Sequence, residues 1–137
     1  VRKNLALAGL FVLVSTVGSA QTYVANPSKV EFIPSADHSV TLPDGSPMVT
    51  YYEFRIYIEG AAAPMQVTNL GKPAPGTDGV VRAEILTVIG SLPLSPTTQY
   101  RATVAAIGPT GVGESTPSNP FGHVSGPKTP GSVSVKQ

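Results

Sequence analysis

Asp37 and His38 stand side by side, a pairing that could help hold a metal ion or orient a general base. One imidazole and one carboxylate are too few for either task, and the other histidine, His123, lies far along the chain. The pair therefore reads as a solvated or loop-packing element. Serines are plentiful, but no Gly-x-Ser-x-Gly turn is present to expose one as a nucleophile. Residues 108–113 are glycine-rich, yet they join two expected strands and open no helix, so they cannot cradle a phosphate. Asp37, Asp44 and Asp78 are scattered, whereas a calcium loop needs carboxylates at close spacing. Turn formation explains them. With no Cys, no zinc site with thiolate ligands can be built. The expectation is a protein without catalytic residues, metal or cofactor.

Recognition is the chemistry left. Tyr51, Arg55 and Tyr57 alternate along one face of an expected strand, and Arg101 is expected across the sheet from them. Aromatic rings beside Arg make a candidate partner-binding patch. The competing use of the same residues is ordinary cross-strand pairing on a solvated face. A second candidate surface combines the loops at 37–48 and 108–113, which share one end of the fold if the strands they flank are neighbours.

The first twenty residues look like an address. Arg2 and Lys3 form a basic start, residues 5–17 are apolar, and Gly18-Ser19-Ala20 offers small residues at a cleavage site. The apolar run is shorter than the roughly 20 residues that span a bilayer, which favours a cleaved secretory signal over an anchor. Val1 in place of Met fits a bacterial reading frame with an alternative start. The expected location is secreted, periplasmic or cell-surface. Residues 21–137 carry seven basic and eight acidic side chains, net −1. No basic cluster remains for phosphates, so nucleic acid is not an expected partner, and the membrane is met only through the signal segment. An exported chain without Cys must be held by burial alone.

What must position these residues is a set of short strands. Fourteen Gly and fourteen Pro interrupt any helical period. Strands are expected at 22–26, 29–33, 49–59, 65–70, 80–88, 98–107 and 115–121. In the third, Tyr52, Phe54, Ile56 and Ile58 share one face and Tyr51, Glu53, Arg55, Tyr57 and Glu59 the other. The period of the fifth breaks near residues 86–89. Pro117 and Pro120 cannot donate to a ladder, which marks the seventh as an edge strand. Residues 108–113 form a flexible hairpin loop. Residues 122–137 read as a Gly/Ser/Pro-rich tail or linker.

Leu94-Ser95-Pro96-Thr97-Thr98-Gln99-Tyr100, followed by Val104 and Ala106, then Gly111, Gly113, Ser115 and Ser118, resembles the fibronectin type III domain, a branch of the immunoglobulin-like sandwiches. Val49-Thr50-x-Tyr52 resembles that family's entry into its third strand. The resemblance covers roughly residues 27–121 and implies an all-β, seven-stranded antiparallel sandwich over residues 21–121. It implies structural roles for Phe32, Tyr52, Leu94, Pro96, Tyr100 and Val104. Tyr100 should pack under the turn and bond the backbone a few residues upstream. The family's usual Trp in the second strand is absent, with Phe32 in its place. Such domains in exported bacterial proteins act as spacers, adhesion modules or enzyme accessories. The expected function is therefore a non-catalytic binding or spacer module that contacts a protein or cell surface. A carbohydrate-associated module stacking sugars on Tyr51 and Tyr57, or a subunit of an extracellular filament or surface assembly, is the alternative.

Overall fold

The computed structural model describes residues 21–84, 94–124, 126–127 and 129–137. The expected signal at 1–20 lies outside them, as does the end of the expected fifth strand with its irregular stretch at 86–89. Eight strands and no helix occur among the described residues. They are β1 (Val24–Ala25), β2 (Lys29–Phe32), β3 (Tyr51–Ile58), β4 (Gln66–Gly71), β5 (Val81–Glu84), β6 (Tyr100–Gly108), β7 (Gly111–Glu114) and β8 (Phe121–Gly122). One sheet runs β1-β8-β6-β3-β4, with β7 also bonded to β6, and the other is β2-β5. Every pairing is antiparallel except β1 with β8.

Strict alternation on β3 makes the layer. Tyr52, Phe54 and Ile56 are buried, while their neighbours Tyr51, Glu53, Arg55 and Tyr57 are partly exposed. The inward residues Phe54 and Ile56 cluster with Tyr100, Ala102 and Phe121 of the same sheet, and Val30 of the second sheet packs against them. Each large apolar side chain so buried contributes about 1.5–3 kcal/mol. Leu94 and Val104 are half-buried against the same cluster. The Tyr100 hydroxyl accepts the Ser95 amide at 2.8 Å, five residues upstream, while Pro96 lies exposed in the turn between them. Phe32 is half-buried and meets Tyr52 at a ring-centroid distance of 5.2 Å. It therefore sits at the side of the core, whose centre is held by Phe54 and Ile56.

Three expectations about the last third of the chain need correction. The 108–113 segment is no long loop: β6 reaches Gly108, β7 begins at Gly111, and only Pro109 and Thr110 turn the chain. Residues 115–120 form no regular strand, because Pro117 and Pro120 supply no amide. Serine side chains fill the gap. The Ser115 amide donates to the Val104 carbonyl and the Ser115 hydroxyl accepts the Val104 amide. Ser118 repeats the pattern on Ala102. Nor is β8 an edge, since β1 runs parallel beside it, matching Val24 to Phe121 and Ala25 to Gly122. Asn26, in the left-handed region at φ 48°, then brackets Val124, donating to its carbonyl at 3.0 Å and accepting its amide at 2.9 Å. The fold thus holds the chain three residues beyond the expected boundary at 121/122.

Candidate functional site

The outward residues of β3 and β6 are set by register. Tyr57 lies opposite Arg101, Arg55 opposite Thr103, and Glu53 opposite Ala105. The short β6–β7 turn then places Glu114 opposite Ala105 on the other side. Ala105 is fully buried between two carboxylates, and Arg55 joins them. Its guanidinium reaches Glu53 at 2.7 Å and Glu114 at 2.8 Å. Glu114 also accepts the Tyr57 hydroxyl and the Thr103 hydroxyl, each at 2.6 Å. Thr103, on the outward face, is buried beneath this network.

These bonds set the protonation states. Hydrogen bonds from Thr103 and Tyr57, with Arg55 nearby, hold the Glu114 carboxyl below its ordinary value of 4.5. The bond to Glu114 pushes the Tyr57 phenol above 10.0, with partial burial adding to it. At neutral pH the pair is a neutral phenol donating to a carboxylate. The geometry braces the side chains and aims no free base outward.

Arg101 anchors a second group. Its guanidinium meets Glu59 at 2.5 Å, the Ser118 carbonyl at 2.9 Å, and the Gln21 side chain. Between the two groups an open groove of about 650 Å³ is lined by Tyr57, Glu59, Arg101, Thr103, Glu114 and Thr116, among others. Of the four residues read as a binding patch, Tyr57 and Arg101 line this groove, and Arg55 joins them only through its bridge to Glu114. Tyr51 stands apart, opposite Ile107 near the far end of β3. Six strand steps separate it from Tyr57, about 20 Å, too far for one sugar ring to stack on both.

The second candidate surface is also assembled. The Thr50 amide donates to the Ile107 carbonyl, and Gly108 lies directly against the Met48 carbonyl. The 37–48 loop and the β6–β7 turn thus share one end of the fold. Within that loop, Nδ1 of His38 lies 2.8 Å from the Tyr52 hydroxyl, which also accepts the Ser35 amide. The His38 ring stacks on Tyr52 at 5.7 Å, so His38 packs the loop onto the core edge. The Asp37 amide donates to the Ser35 hydroxyl, and no bond joins Asp37 to the His38 ring among those formed. Among the described residues no three His, Asp or Glu side chains gather into a group that could hold a metal.

Sequence reasoning missed Glu114 and Thr103, and read Glu53 and Glu59 only as outward-facing. The signal for Glu114 was its distance from the β6–β7 turn, which fixes its register only once the turn is known to be two residues long. Compared with family models, with curated proteins and with solved structures, the chain matches none.

Proposed function

We propose that the chain is a fibronectin type III-like sandwich acting as an exported, non-catalytic contact or spacer module for a protein or cell-surface partner. The Tyr100–Ser95 bond and the core behind it support the fold type. The secretory pattern in residues 1–20 supports export to the cell surface, the periplasm or the medium. One observation carries the contact role. Arg55, Tyr57 and Glu114 are locked together beside an open groove that Arg101 and Glu59 close from the other side. Side chains held rigid before binding lose little entropy when a partner arrives. An aromatic and two arginines in such a setting are the residue types that carry binding energy.

Affinity capture with the full chain as bait, compared with Tyr57→Ala and Arg101→Ala, tests this. Each substitution is expected to weaken capture of the partner about tenfold, or 1.4 kcal/mol. Capture unaffected by both would remove this face from the function.

A carbohydrate-associated role is the second reading, favoured by the Tyr57 ring beside the polar lining of the groove. It now rests on Tyr57 with Glu59 and Arg101, without Tyr51. A glycan array with no signal counts against it.

A further inference from the structure

The two sheets are not closed along one side. Among the described residues β2 is bonded along a single edge, to β5, because β1 pairs with β8 in the opposite sheet. Between β2 and the 115–119 segment lies an open cleft in two parts, about 260 and 360 Å³, which share Phe32, Val104 and Ser115. Val24, Val30 and Phe54 line its lower part, and Ile33, which is 83% exposed, stands at its upper rim. An apolar seam beside a free strand edge has the shape of a missing strand.

The chain itself carries a segment with the sequence pattern of such a strand. Ser132-Val133-Ser134-Val135 alternates small polar and β-branched residues, the pattern of a strand with one apolar face. It pairs with nothing where it lies: Val133 is 86% and Val135 95% exposed. Its four residues equal the length of β2. Thirteen residues, 125–137, follow the Asn26–Val124 bracket. Fully extended they reach about 40 Å, enough to enter a neighbouring molecule. Charge favours that route. Residues 21–121 hold five basic and eight acidic side chains, net −3, while the tail holds Lys128 and Lys136 and no acid, net +2. Two sandwiches repel each other, whereas a tail is drawn to another molecule's sandwich.

We propose that residues 132–135 of one copy add as a strand to the free edge of β2 in a second copy, seating Val133 and Val135 in the cleft. The contact is head-to-tail, so it propagates into chains or closes into rings. It rests on the reading of the chain as a contact module and names a second copy as the partner.

The test is sedimentation of the full chain over a range of concentrations, joined to a cross-linking experiment made simple by the absence of native Cys. The wild type is expected to associate. A Val133→Glu/Val135→Glu chain, altered only at exposed positions, should associate at least about tenfold more weakly. Ile33→Cys chains mixed with Val135→Cys chains should yield a mixed disulfide dimer in preference to either like dimer. Monomers at every concentration, association indifferent to the tail substitutions, or like dimers only would overturn the proposal. So would a disulfide formed within single chains carrying both Cys, which would put each tail in its own cleft. Each of those results leaves the Tyr57–Arg101 groove to be judged by its own capture experiment.

Discussion

The hydroxyl of Ser118 accepts the Ala102 amide at 3.0 Å while the Ser118 amide returns to the Ala102 carbonyl at 2.8 Å. A side chain here does what a strand carbonyl would do, in a segment where prolines prevent a regular ladder. Ala102 is buried, so its amide has no easy access to water. Ser118→Ala is expected to cost about 1–3 kcal/mol, since a buried donor loses its acceptor. Urea denaturation followed by tyrosine fluorescence reads this. A loss below 0.3 kcal/mol, roughly the scatter of such fits, would mean that water replaces the hydroxyl.

Tyr100 combines a buried ring with one directed hydrogen bond, and the two contributions separate by mutation. Tyr100→Phe keeps the ring against Phe121, 6.0 Å away between centroids, and strands only the Ser95 amide. It should lose about 1 kcal/mol. Tyr100→Ala removes the ring as well and should lose about 3–5 kcal/mol. Equal losses in thermal unfolding would show that the phenol oxygen carries the whole effect.

Glu114 gives the fold a dependence on acid. Its carboxyl is held below 4.5 in the folded chain, so the unfolded chain takes up protons first as pH falls. The stabilisation is complete well above pH 4.5 and is lost as pH drops through the lowered folded value. Asp78, held down to about 2 chiefly by its hydrogen bonds from Arg82, adds a second loss between its ordinary 3.8 and that value. The melting temperature should therefore fall steadily below about pH 4.5. Glu114→Gln should flatten the upper part of that fall. An unchanged slope would show that the bonds Glu114 accepts from Thr103 and Tyr57, with Arg55 nearby, are not felt in stability.

Gly108 lies so close to the Met48 carbonyl that an added methyl collides with backbone, which cannot rotate away. Gly108→Ala should destabilise by about 1–3 kcal/mol, the usual cost of overpacking. Gly113→Ala meets nothing nearby and serves as the control. A chemical-denaturation comparison of the two would expose any general penalty for losing a glycine in this hairpin.

The parts that were legible in the sequence are those governed by local pattern. β3 alternates apolar and polar side chains over eight residues, and burying one face leaves a single register open to it. β6 was visible for the same reason. The turn before Tyr100 was visible through its residue types. What stayed hidden depends on pieces far apart in the chain. Val24–Ala25 is too short to show a period, and only its partner Phe121–Gly122 makes it a strand. Glu114 fell between the expected loop at 108–113 and the expected strand at 115–121 because three nearby glycines suggested slack, whereas all three lie within paired strand. Arg55 and Tyr57 were correctly assigned to one face, but the carboxylate that binds them comes from 57 residues further along. The serines at 115 and 118 fitted the fibronectin type III resemblance without revealing that their hydroxyls complete a ladder.

The side-by-side course of β1 and β8 has a mechanical consequence. Because the two run in the same direction, tension applied through the segments before Val24 and after Val124 drags them lengthwise past each other. The bonds between Val24 and Pro120, Asn26 and Gly122, and the twofold bracket to Val124 then resist together rather than parting one by one like a zipper. A molecule strung between two anchors would yield only when that whole patch slides at once.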